Sequence, residues 1–77
     1  MVKVLLFAEL QERIGKTSLE IPLEKADVRQ LKEKLESDYP QLRLKGVMTA
    51  VNEEYAKDDD IVTAGDTVAL IPPVSGG

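Results

Sequence analysis

Two glycines close this chain, and they are the residues through which it could do chemistry. Gly76 and Gly77 have no Cβ, so the backbone there is slim enough to thread a narrow channel. An enzyme could then reach the carboxylate of Gly77. The lead-in, Val68-Ala-Leu-Ile-Pro-Pro-Val-Ser-Gly-Gly77, starts as an apolar strand and ends as a bare backbone. Pro72 and Pro73 have fixed φ and no N–H, so they stop a sheet ladder and stiffen the exit. Val74 and Ser75 add no charge and no bulk. A frayed chain end accounts for the same residues, since chain ends are commonly disordered. The alternative is that the domain is a support whose purpose is to present that carboxylate.

What the chain lacks narrows the chemistry further. It has no histidine and no cysteine, so the commonest general base, the commonest metal ligand and the thiol nucleophile are all missing. An autonomous enzyme is disfavoured, and chemistry is expected to be performed on this chain by a partner. Ten basic and fourteen acidic residues give a formal net charge of −4. Such a surface repels phosphate backbones, so nucleic acid is not an expected partner. Basic partner surfaces would be favoured. The longest apolar run, Val4 to Ala8, is too short to span a bilayer, and Glu9 interrupts it. No membrane association is expected, and a cytoplasmic location is. Asp58-Asp-Asp60 lacks the glycine and spaced ligands of a calcium loop, so no metal site is expected.

The elements that must position the terminus follow in order. Seventy-seven residues make one domain. Val2 to Ala8 reads as a strand that is apolar on both faces beyond Lys3, hence central and mostly buried. Leu10 and Ile14 at i, i+4 allow a short helical turn, and Gly15 suits its C-terminal cap. Thr17 to Ile21 alternates as a second strand and Pro22 ends it. Asp27 and Gln30 have the spacing of a capping box. Val28, Leu31 and Leu35 then form one stripe, which predicts a helix over 28–38, ended by Pro40. Lys32, Glu33, Lys34, Glu36 and Asp38 form its solvated face. Leu42 and Leu44 are expected to cover the core edge. Val47 to Asn52 reads as a strand, Asn52-Glu53 as a turn and Glu54 to Ala56 as a short return. Ile61 and Val62 are expected in the core, and Thr67 to Ile71 as the last strand. Val68 and Leu70 should face inward, while Ile71 fits either the core or a partner contact. If the first and last strands are parallel neighbours, the helix supplies the crossover they demand. The expected class is α+β: a mixed sheet of four to five strands packed on one main helix, with residues 1–72 as the domain and 73–77 as a flexible tail.

Three stretches resemble a known family: Ala50-Val-Asn-Glu-Glu-Tyr55, Gly65-Asp-Thr-Val68 and Ile71-Pro-Pro-Val-Ser-Gly-Gly77 are similar to the small subunit of molybdopterin synthase. The opening Val2-Lys-Val-Leu-Leu-Phe-Ala-Glu-Leu10 fits the same family. The resemblance implies a ubiquitin-like β-grasp fold and a sulfur carrier. It implies that a ubiquitin-activating-like adenylyltransferase activates the terminal glycine with ATP, and that a sulfurtransferase supplies sulfur to form a thiocarboxylate. The tail then enters the large synthase subunit, in an expected heterotetramer of two small and two large chains, and sulfur passes to precursor Z. Catalysis is expected on the large subunit and no bound cofactor on this one. By resemblance Gly77 is the modified terminus, Gly76 the slim penultimate position, and Val74 and Ser75 the threading tail. Ile71, Pro72 and Pro73 form its base near the partner. Two positions depart from the common pattern: Ile71 where many members carry an aromatic, and Gln11 where many carry an arginine. A thiamine-type carrier, a ubiquitin-like protein modifier and an interaction-only domain remain alternatives. An iron–sulfur protein of this fold does not, because it needs cysteine ligands.

Overall fold

The first and last strands lie side by side in the middle of the sheet. In a computed structural model that describes residues 1–73, β1 (Val2–Leu6) runs parallel to β7 (Thr67–Ile71), with Val4 opposite Val68 and Leu6 opposite Leu70. β2 (Ser18–Ile21) pairs antiparallel on the far side of β1. β4 (Met48–Val51) pairs antiparallel with β7, and β5 (Glu54–Ala56) pairs antiparallel with β4. The order is therefore β2-β1-β7-β4-β5. A parallel pair needs a crossover, and α2 (Val28–Asp38) lies within it, as expected.

Period-two alternation decides which side of the sheet is core. Val2, Val4, Leu6, Val68 and Leu70 are all fully or almost fully buried, on the face that meets the helix. Val28, Leu31 and Leu35 answer from α2 with no exposure at all. Burying each such side chain contributes about 1.5–3 kcal/mol. Leu42 and Leu44 close the edge of the core. The other face of β1 is different. Lys3 is exposed, Leu5 half-buried and Phe7 exposed. The expectation of a strand buried on both faces is thus corrected: β1 is central in the sheet but covered on one side only.

Local chemistry sets the helix ends. The carboxylate of Asp27 accepts from the Gln30 N–H at 2.7 Å, and the Gln30 side-chain oxygen accepts from the Asp27 N–H at 3.0 Å. This is the capping box expected from the spacing. Two further free N–H groups of the first turn, on Val28 and Arg29, donate to the carbonyls of Asp60 and Asp58 at 2.9 and 3.0 Å. The acidic loop therefore works as a structural clasp. Asp58 also pairs with Lys32 at 3.2 Å, and Asp60 accepts from the Lys57 N–H at 2.7 Å. The earlier helix, α1 (Glu9–Ile14), ends on Gly15 at φ 79°, a left-handed conformation that glycine adopts without strain.

A two-stranded ribbon was not expected. β3 (Lys25–Asp27) pairs antiparallel with β6 (Ile61–Thr63) at the foot of α2. Ile61 belongs to this ribbon and is 52% exposed, so its assignment to the core is corrected; only Val62 points inward. Neighbouring strand residues face opposite ways, so Ile61 and Val62 could not both be core.

The open sheet face and the carrier terminus

The uncovered face of the sheet is apolar where it meets the exit of the chain. Register brings Leu5 opposite Ala69, Ala69 opposite Ala50, and Ala50 opposite Tyr55. Met48 lies opposite Ile71. With alanine in the two middle positions, the larger side chains around them leave a depression of about 520 Å³, lined by Phe7, Ala50, Glu53, Tyr55, Ala69 and Ile71. Phe7, Met48 and Tyr55 are 45%, 50% and 72% exposed. Single exposed apolar residues are ordinary, but a contiguous group on one sheet face marks an interaction surface.

Two turns position this face. At one end the Leu10 N–H donates to the Phe7 carbonyl at 3.1 Å, and Ala8 adopts φ 51°, ψ −127° to close that turn. This ends β1 and leaves Phe7 at the rim. At the other end Asn52 and Glu53 form the tip of the β4–β5 hairpin at φ 50° and 71°. The Asn52 N–H donates to the Thr67 carbonyl at 2.8 Å, and its side-chain oxygen accepts from the Thr67 N–H at 3.0 Å. Its amide nitrogen donates to Asp66 at 3.0 Å. The second oxygen of Asp66 accepts from the Thr63 N–H and hydroxyl at 2.8 and 3.2 Å. The Thr63 N–H bond, followed by the Asn52 bond, holds the Asp66 carboxyl below its ordinary pKa, against a smaller opposing effect of burial. Hairpin tip and β6–β7 turn are thus tied into one unit.

The site residues expected from sequence divide into two groups. Ile71 is half-buried on the rim of the depression, which resolves its open assignment in favour of the outer face. Pro72 is buried and Pro73 exposed. Val74, Ser75, Gly76 and Gly77 lie outside the described residues. Phe7, Met48 and Tyr55 were not singled out beforehand. Their only local signal is a large apolar residue at the outward phase of a strand, and the outward phase is known only once the core face is. Among the described residues no three acidic side chains are placed to share a metal ion, and no helix is long and apolar enough to cross a membrane.

Known proteins resemble this chain in sequence and in fold. A model of the ThiS family matches residues 4–77. The molybdopterin synthase sulfur carrier subunit of Dictyostelium discoideum is 44% identical over 97% of this chain and 94% of its own. The crystal structure of SAMP1 from Haloferax volcanii, a small archaeal modifier protein, superposes with a TM-score of 0.85 at 29% identity, covering 99% of this chain and 98% of that one. A chain of the protein–protein complex of subunits 1 and 2 of the molybdopterin-converting factor from Helicobacter pylori is similar too. That match has a TM-score of 0.69 at 25% identity and covers 99% of this chain and 97% of the other. The mixed five-stranded sheet on one main helix is the α+β arrangement expected from the order of elements, and it is the ubiquitin-like β-grasp that the resemblance implies. With the family model spanning all but the first three residues, the chain belongs to the ThiS family.

Proposed function

We propose that this chain is the sulfur carrier subunit of a molybdopterin synthase. The observation that carries it is one of placement: the strand leading to Gly76 and Gly77 ends on the rim of an open apolar sheet face. A partner seated on that face would meet the end of the strand that leads into the terminal residues. The resemblance to the Dictyostelium carrier subunit, and to a chain of the Helicobacter pylori complex of subunits 1 and 2, supports a large synthase subunit as that partner.

The chemistry asks little of this chain. A carboxylate is a poor electrophile. A ubiquitin-activating-like adenylyltransferase joins the Gly77 carboxylate to the α-phosphorus of ATP, and pyrophosphate leaves. The terminal sulfur of a sulfurtransferase persulfide attacks the acyl carbon and AMP leaves; a second thiol then cleaves the S–S bond and departs as a disulfide with the sulfurtransferase cysteine, so Gly77 ends in a thiocarboxylate. In the large subunit the thiocarboxylate sulfur bonds to a side-chain carbon of a cyclic pterin as an oxygen leaves that carbon, and water then cleaves the resulting thioester, leaving the sulfur on the pterin and returning Gly77 to a carboxylate. Two such transfers build a dithiolene, which suits a heterotetramer of two small and two large chains. No side chain here need act as acid, base or nucleophile, in keeping with a sequence without histidine or cysteine. Residues 1–72 form the docking domain in this scheme and 73–77 the tail that reaches the partner's site. ATP-dependent activation belongs in the cytoplasm, and so does the carrier.

The likeness to SAMP1 favours one second reading, in which the activated Gly77 is passed to a lysine of another protein. The test is sulfur transfer to the pterin by the reconstituted synthase. Gly76→Phe, or one residue added after Gly77, is expected to abolish transfer with the melting midpoint unchanged. Transfer at the native rate by either variant would refute the tail's role.

A further inference from the structure

The backbone of the open face carries a pattern of its own. Six described residues have φ in the left-handed region, which favours glycine. Three of them, Gly15, Gly46 and Gly65, are glycine, and a Cβ there would meet nothing within 4 Å. Glycine is what this chain uses where only a turn is required. Of the other three, Glu53 lines the apolar depression, Asn52 lines the depression adjoining it, and Ala8 follows Phe7 in the chain. Strained residues that persist beside a binding face point to a role for their side chains.

Asn52 has such a role inside the molecule, because its amide ties the hairpin to Thr67 and Asp66. Glu53 has none. It occupies the second tip position of the hairpin, where glycine is most favoured. Among the described residues its carboxylate makes no hydrogen bond and no ion pair. It is exposed, and it lines the depression beside Phe7, Tyr55 and Ile71. A lone anion on an apolar rim adds little to contact area. It does add selectivity, since a partner must bring a cation there or bury the charge unpaired.

We propose that Glu53 is a specificity-determining residue of the docking face, and that it selects a large subunit carrying an arginine or lysine opposite the depression. This rests on the docking role of the face proposed above. The carrier's net charge of −4 favours the same kind of surface over a longer range.

Titration calorimetry of the carrier with the large synthase subunit, at about 50 and about 300 mM salt, tests it. Glu53→Gln is expected to weaken binding about tenfold at the lower salt and to flatten the salt dependence, with the melting midpoint unchanged. Glu53→Gly should lose the same affinity without a lower melting midpoint, because the backbone strain goes with the side chain. Glu53→Asp should keep most of the salt dependence. Native affinity and salt dependence in Glu53→Gln, with binding lost in Phe7→Asp, would overturn the role of Glu53 and leave the docking face standing. Native binding in Phe7→Asp as well would remove the docking face itself, and this inference with it.

Discussion

Thr49 sits on the inner face of β4 with 3% exposure, and its buried hydroxyl oxygen has no hydrogen-bond partner among the described residues. A buried polar group left unpaired costs about 1–3 kcal/mol. Valine has the same shape without the hydroxyl. Thr49→Val is therefore expected to raise unfolding stability by about 1 kcal/mol, read as a higher urea midpoint with an unchanged slope. A drop in the midpoint would mean that the hydroxyl has a partner after all. Residues also differ in how well sequence reveals them. Gly76, Gly77 and the two prolines are legible because their meaning is local: a missing Cβ, a fixed φ, an absent N–H. Phe7 lies just past the end of β1, Met48 on β4 and Tyr55 on β5, and only the pairing of those strands brings them to one face. No spacing along the chain encodes that meeting.

Elements were legible where a local rule governed them. The capping box and the 28–38 stripe define α2 at both ends, and the structure places that helix at Val28–Asp38. β3 was missed because Lys25-Ala-Asp27 has neither β-branched residues nor an apolar alternation; its strand form comes from pairing with β6. The unit tying the β4–β5 hairpin to the β6–β7 turn is likewise non-local, joining Asn52 to Asp66 across the fold. Its stability should depend on pH. The folded pKa of Asp66 lies below the ordinary 3.8, so the carboxylate's contribution is complete above that value. It is lost as pH falls through the lower, folded value. Asp66→Ala should cost about 1–2 kcal/mol at neutral pH. The gap between variant and wild type should narrow as the solution is acidified past 3.8, the unfolded-state value. Urea midpoints compared at neutral and strongly acidic pH measure this, and a gap that does not change with pH would show that the carboxylate's charge has no part in the tie.

At the scale of the whole molecule, a small domain has divided one sheet between two tasks. The inner face and α2 hold the core, with Val4 and Val68 fully buried in parallel register. The outer face is left open, with Ile71 at the end of the last strand on its rim. The parallel pairing of the first and last strands was legible because both are the most apolar segments of the chain and a helix lies between them. The openness of the outer face was not. Leu5, Phe7, Ala69 and Ile71 are as apolar as core residues, and an apolar strand reads the same whether a helix or a partner covers it. This is why sequence suggested burial on both sides of β1 and the structure shows one.

The proposed sulfur-carrier role rests on Gly77. The most direct measurement is the intact mass of the chain after incubation with ATP, a sulfur donor and its activating enzyme. Replacement of one oxygen by sulfur, localised to Gly77, is the predicted result. A chain of unchanged mass, with an activating enzyme proven competent on another carrier, would contradict it, and attachment of Gly77 to a lysine of a second protein would make the chain a modifier instead.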